Sequence, residues 1–279
     1  MIDATALAAH LSDPDWVVVD VRFKLADPTF GRTQWAASTV PGARFADLDR
    51  DLSAPVQPGL TGRHPLPTPE AFADTLASWG ITPTSQVVVF DQMGGAFAAR
   101  LWWMLRWVGH RAVAVLDGGW SAWLDSGHST APGGADWSEA ERYPVAPDAS
   151  MTADAEAVLA ALGDEAIAVL DARAAARFRG ENETTDPVAG HIAGATSLPF
   201  AENFSDDKRI RSGAELRARF ESALAGRDAS RAIAYCGSGV TACHNILAMV
   251  HAGLPAPRLY PGSWSDWITD PARPRTPQT

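Results

Sequence analysis

Cysteine is scarce in this chain: only Cys236 and Cys243 occur among 279 residues. Two thiols cannot build a disulfide framework for so long a chain, and their scarcity points to a reducing, cytoplasmic setting. Basic runs are also missing, and the formal net charge is −10, which argues against non-specific nucleic-acid binding. No stretch reaches the ~18 consecutive apolar residues that a membrane helix needs. Met1 to Trp16 lacks a basic region leading into an apolar core, so no signal peptide is expected. What remains is ordinary globular composition, 46% hydrophobic and 20% charged, in a chain long enough for two domains with a core each.

The chain repeats itself. Val17-Val18-Val19-Asp20-Val21-Arg22 matches Ala168-Val169-Leu170-Asp171-Ala172-Arg173, and Val40-Pro41-Gly42-Ala43 matches Ile192-Ala193-Gly194-Ala195. Val87 to Asp91 matches Ala232 to Cys236, and Asp117 to Trp123 matches Pro261 to Trp267. Four matches in one order, at offsets of 144 to 152 residues, mark an internal duplication with loop insertions.

Each half alternates short Val/Ile/Ala runs with helical patterns. Buried parallel strands are predicted near 16–21, 86–90, 112–116, 166–170 and 231–235. Thr68-Pro69 supplies an N-cap and an N1 proline for a helix over Glu70–Trp79. Ser212-Gly213-Ala214-Glu215 reads as a capping box for a helix towards Leu224. The alternation gives an α/β fold with a mainly parallel sheet, flanked by helices, in each half. Residues 1–130 are expected to form one domain, 131–150 a linker rich in Pro, Gly, Ala and Asp, and 151–279 a second domain. The three-proline tail Asp270 to Thr279 is expected to be poorly ordered.

Cys236 carries the chemistry. It follows a short apolar strand ending at Tyr235, sits in the loop Cys236-Gly237-Ser238-Gly239-Val240-Thr241, and precedes a helical pattern from Ala242 to His251. Backbone N–H groups and a helix N-terminus favour an anion there. The thiolate is therefore expected to form more readily than at the free-cysteine pKa of about 8.5. Ligands of open α/β sheets bind at the carboxyl ends of strands. Asp91 holds the equivalent strand end of the first half and cannot do thiol chemistry, so the second half is the catalytic one.

These residues resemble the rhodanese sulfurtransferases. The likeness rests on Asp-x-Arg after the first strand of each half, Gly-His-Ile-x-Gly-Ala at Gly190 to Ala195, Gly-Gly-Trp-x-x-Trp at Gly118 to Trp123, and one cysteine loop in the second half. It implies two tandem rhodanese-like domains, the first non-catalytic. It further implies a persulfide on Cys236, filled by a small anionic sulfur donor and discharged to a thiol, cyanide or thioredoxin-like acceptor. No metal, organic cofactor, nucleic acid or membrane is implied. Gly237 and Ser238 stand where the thiosulfate-using subgroup has basic residues, so the loop is similar to the subgroup acting on 3-mercaptopyruvate. That likeness makes Cys236 and Ser238 catalytic, and Arg177, Gly237, Gly239, Val240 and Thr241 substrate-binding. A second arginine of the pattern, nine residues after Arg177, is Asp186 here. The first-half histidine implied to support the serine as a relay is Thr39; either the relay is absent or other groups perform it.

The repeat separates architecture from chemistry. Arg22 and Arg173, His191, and Trp120, Trp123, Trp264 and Trp267 fall on repeated positions and read as structural. Thr241 reads as a cap or loop brace whose hydroxyl can also face the persulfide, and Arg177 has Glu181 or Asp186 as ion-pair alternatives to a substrate. Cys243 reads as a core residue; with His244 and Cys236 it lacks the CxxC pair and fourth ligand of a metal site. A cysteine phosphatase would need an arginine six positions after Cys236, where Ala242 stands. A non-enzymatic persulfide carrier is the other alternative.

Overall fold

The computed structural model describes residues 1–276. Its strands are β1 (Trp16–Asp20), β2 (Arg44–Phe45), β3 (Gln86–Phe90), β4 (Val113–Val115), β5 (Val169–Asp171), β6 (His191–Ile192), β7 (Thr196–Ser197), β8 (Ile233–Tyr235), β9 (Arg258–Leu259) and β10 (Arg275–Thr276). The helices are α1 (Ala4–Ala8), α2 (Phe30–Ala37), α3 (Pro69–Ser78), α4 (Ala98–Trp107), α5 (Gly119–Asp125), α6 (Ala155–Ala161), α7 (Ala175–Phe178), α8 (Gly213–Leu224), α9 (Ala242–His251) and α10 (Ser263–Trp267).

The first compact unit gathers Met1–Ala54, Leu66–Asp148 and Asp206–Ile210. Its sheet runs β2-β1-β3-β4, all parallel, with Val17 facing Val87 and Asp20 facing Phe90 in register. Val17 to Val19 and Val87 to Val89 are all buried, as strands covered on both faces require. Thr68 caps α3 by accepting the Ala71 N–H at 3.2 Å, and Pro69 opens that helix at no hydrogen-bonding cost.

The second unit gathers Pro55–Pro65, Ala149–Ser205 and the chain from Arg211 onward. Its sheet, β7-β5-β8-β9, is also parallel and follows the same order by repeat position. The capping box at the start of α8 is formed on both sides: Glu215 N–H reaches Ser212 Oγ, and Glu215 Oε2 accepts the Ser212 N–H. Residues Ala242 to Met249 of α9 are buried all round, so this helix is a core element.

Three features differ from the sequence reading. The stretch 131–148, expected as a linker, packs along the first unit: Thr39 and Ala131 exchange backbone hydrogen bonds, Trp137 Nε1 donates to Ser78 O at 2.8 Å, and Tyr143 is buried against His110. Its aromatic residues, diluted among Pro, Gly and Asp, anchor what composition reads as loose. The tail is ordered through Thr276, because β10 pairs antiparallel with β6 and Trp267 Nε1 donates to Pro274 O at 2.9 Å. The rest of the predicted tail, 277–279, lies outside the described residues. Finally, the second unit is not a contiguous half of the sequence. It includes Pro55–Pro65, docked where Gly62 lets its backbone approach Gly262. A Cβ at Gly62 would lie 2.6 Å from the Gly262 carbonyl oxygen.

Candidate active site

Cys236 follows β8 directly and is 2% exposed. Its backbone is pinned to the start of α10: its N–H donates to Ser263 Oγ at 3.0 Å, and its carbonyl accepts the Trp264 N–H at 3.0 Å. Ser263 holds φ +54°, an unusual conformation for a side-chain-bearing residue. The hydroxyl offsets that strain, since it also donates to Tyr260 O at 2.9 Å. Gly239 turns the loop at φ +76°, and a Cβ there would sit 2.3 Å from Pro261 O, so only glycine fits.

Three of the loop amides above Cys236 are unspent. Among the described residues, no protein acceptor takes the N–H groups of Ser238, Val240 or Ala242. The first unit holds the matching loop in a filled state. Asp91 Oδ1 accepts the N–H groups of Met93 at 2.6 Å and Gly95 at 2.9 Å, and Oδ2 those of Phe97 at 2.6 Å and Ala98 at 2.8 Å. Met93, Gly95 and Phe97 are the repeat partners of Ser238, Val240 and Ala242. The loop geometry therefore binds an anion, and in the first unit that anion is the protein's own carboxylate. Burial pushes the Asp91 carboxyl up from its ordinary value, with the four N–H groups pulling it back.

Ser238, buried within the loop, meets a histidine. Its Oγ lies 2.7 Å from Nδ1 of His64, also buried. Thr39, to which the family pattern assigned the relay position, instead donates to Asp20 Oδ2 at 2.8 Å. The alternative left open by the sequence, that another group supports the serine, is the one the geometry favours. His64 was missed because it lies in a loop with no repeat counterpart.

Arg177 also lies at the loop. Its Nε donates to Glu183 Oε2 at 2.9 Å and its Nη2 to Asp186 Oδ2 at 2.8 Å, while Glu181 pairs with Arg179 instead. Arg63 Nη1 donates to the other oxygen of Asp186. Glu183 Oε1 accepts the N–H groups of Thr185 and Asp186, which fixes the turn carrying Asp186. Burial pushes the Glu183 carboxyl up, but the Arg177 hydrogen bond and those two N–H groups outweigh it, and the net direction is down.

The repeated residues are structural, as the repeat suggested, while Thr241 departs from its reading as a cap. Arg22 and Arg173 make the same contacts in their own units: each forks onto the preceding Asp, bonds a backbone carbonyl (Ser38 O and Gly190 O) and lies over a tryptophan, Trp120 or Trp264. His191 Nδ1 contacts Phe178 O at 2.6 Å while its ring stacks on Phe178. Cys243 is buried, with Sγ donating to Gly239 O at 3.3 Å. Thr241 occupies the N-cap position of α9, yet its side chain makes no capping hydrogen bond, because its own backbone is already helical. No group of metal-ligating side chains occurs among the described residues. None of their helices is long and apolar enough to cross a membrane.

The model of the rhodanese-like domain matches residues 3–126 and again 154–270. The chain belongs to the rhodanese family. A Pseudomonas aeruginosa protein named "Probable 3-mercaptopyruvate sulfurtransferase" is 51% identical over 275 residues, covering 98% of this chain and 96% of the relative. The thiosulfate sulfurtransferase of Bos taurus is 34% identical, covering 95% and 89%. Among solved structures, SseA of Escherichia coli, a 3-mercaptopyruvate sulfotransferase, superposes with a TM-score of 0.82 at 32% identity over 95% of this chain and 98% of its own. The 3-mercaptopyruvate sulfurtransferase of Leishmania major gives 0.84 at 33%, over 95% of this chain and 72% of its own.

Proposed function

We propose that this chain is a sulfurtransferase that takes sulfur from 3-mercaptopyruvate onto Cys236 and passes it to a thiol or cyanide. The carrying observation is the open amide cradle above Cys236, whose twin in the first unit is closed by a carboxylate. A persulfide formed on Cys236 extends into that cradle, and its outer sulfur takes the place that the Asp91 oxygens hold in the twin.

In the first half-reaction the Cys236 thiolate attacks the thiol sulfur of the donor. An S–S bond forms, the donor C–S bond breaks, and its electron pair passes into the enolate of pyruvate. The enolate takes a proton at carbon and leaves as pyruvate. Ser238 hydrogen-bonds the keto oxygen as charge develops there, and His64 behind it supplies or absorbs the proton. Arg177 holds the carboxylate. In the second half-reaction the acceptor anion attacks the outer sulfur and releases the Cys236 thiolate. Electrons and charge balance without a redox partner. Cys236 and Cys243 form no disulfide, in keeping with a reducing cytoplasm.

Side-by-side turnover of 3-mercaptopyruvate and thiosulfate, each with cyanide and with a dithiol, tests the reading. The expected outcome is a higher kcat/KM for 3-mercaptopyruvate and one extra sulfur on Cys236 by mass spectrometry. Cys236→Ser abolishes both; a variant that still transferred sulfur would refute the mechanism. Thiosulfate remains the alternative donor, favoured by relatives of that name at 34% identity.

A further inference from the structure

Arg63, like its neighbour His64, is a group at this site that no family motif assigned. Its backbone N–H donates to Ser265 Oγ at 3.0 Å, which sets the segment beside the cysteine loop. Its Nη2 lies 2.8 Å from where a Cβ would stand on Gly237, and Arg177 Nη1 lies 3.6 Å from the same point. Both guanidinium groups therefore converge on the residue next to the nucleophile. Each has a donor to spare: among the described residues no protein acceptor takes Arg63 Nη2 or Arg177 Nη1, and Arg63 Nε is buried without a hydrogen-bond partner. Asp186 joins the two, taking one guanidinium on each carboxylate oxygen.

Where the resemblance leads one to expect a second arginine, this chain has the opposite charge, and an arginine from a distant loop arrives to meet it. The bookkeeping of charge then decides selectivity. Arg63 and Arg177 contribute +2, Asp186 and Glu183 contribute −2, and the cluster is neutral as a whole. A neutral cluster with aimed donors rewards fork-like hydrogen bonding to a planar carboxylate. It gives little extra to a second negative charge on the ligand.

We propose that Arg63 and Arg177, yoked by Asp186, form a charge-neutral clamp for the carboxylate of a singly charged α-keto thiol, and that Asp186 discriminates against dianionic donors. This rests on the sulfur-transfer reading of Cys236 and specifies its donor site.

The test compares Arg63→Ala, Arg63→Lys and Asp186→Asn in the full chain, with 3-mercaptopyruvate and thiosulfate as donors. Arg63→Ala lowers kcat/KM for 3-mercaptopyruvate about 10- to 100-fold, mainly through KM, as expected for a lost charge-assisted hydrogen bond. Arg63→Lys keeps the charge but not the fork and recovers only part of it. Asp186→Asn frees one unit of positive charge and raises the thiosulfate to 3-mercaptopyruvate ratio of kcat/KM several-fold. The clamp is overturned if Arg63→Ala stays within twofold of the parent on both donors. A fall in kcat with KM unmoved, or an unchanged donor ratio in Asp186→Asn, overturns it too. Those outcomes leave sulfur transfer standing; a parent protein that forms no persulfide from either donor would instead refute the underlying reading.

Discussion

Asp91 and Cys236 end equivalent strands in two copies of one fold, and their loops are opposite states of one device. The Asp91 loop is closed twice. The carboxylate fills the amide cradle from inside, and the next residue, Gln92, hydrogen-bonds the Phe23 backbone, donating through Nε2 at 2.5 Å and accepting at Oε1 at 3.2 Å. At the Cys236 loop a cysteine side chain replaces the carboxylate, and Gly237 replaces Gln92. The amides stay open, and the absent side chain leaves room for Arg63 and Arg177. A duplicated loop thus becomes a scaffold when it satisfies itself and a reaction centre when it does not. The unsatisfied copy stores the binding energy for a ligand, which is why it is the one with chemistry.

Removing the internal anion should expose how much the closed state contributes. Asp91→Ala leaves four N–H groups without an acceptor, those of Gly95 and Ala98 buried and those of Met93 and Phe97 part-buried, and about 3 kcal/mol of stability is expected to be lost, read from denaturant midpoints. A loss under 1 kcal/mol would mean that the cradle is not anion-specific. In the open copy, His64→Asn should lower kcat for 3-mercaptopyruvate about 10²-fold while persulfide still forms. Ser238→Ala should give a similar loss, and the double variant little more, because the two act as one unit. Additive losses would separate them.

A smaller effect distinguishes the units by pH. His244 in α9 is fully buried, with one ring nitrogen lacking a partner, and its repeat counterpart is Ala99. Burial, with Arg219 nearby, holds its imidazole down to about 3. The unfolded chain binds a proton near pH 6.5 that the folded chain refuses, so stability falls as pH drops from about 6.5 towards 3. The slope is of order 1 kcal/mol per pH unit at most. His244→Gln should flatten the loss between pH 6 and 4.5 in urea titrations, and an unchanged acid limb would contradict the assignment.

The duplication was legible in the sequence because buried parallel strands demand near-continuous Val, Ile and Ala, and the helix caps rest on hydrogen bonds only a few residues long. The strand end of Cys236 and the turn at Gly239 follow from the same local rules. His64 and Arg63 were not legible. They lie in the loop 55–65, whose proline, glycine and polar composition signals only irregular backbone, and their partners Ser238 and Asp186 are more than a hundred residues away. A signal was nevertheless present. The repeat reserves architecture for shared positions, and an Arg-His pair in an unrepeated loop is a natural place to look for chemistry. Asp186 was legible in part: the sequence offered it as an ion-pair partner of Arg177, whereas its second partner, Arg63, shows only in the fold.

Local covalent order dictated the two-fold repeat, the strand-loop-helix around the thiol, and which copy could react. Three-dimensional packing alone brought a histidine and an arginine from the first half of the chain to complete the second. Short-range patterns encode backbone conformation, whereas a proton path or a charge balance depends on which distant side chains end up within a few ångströms.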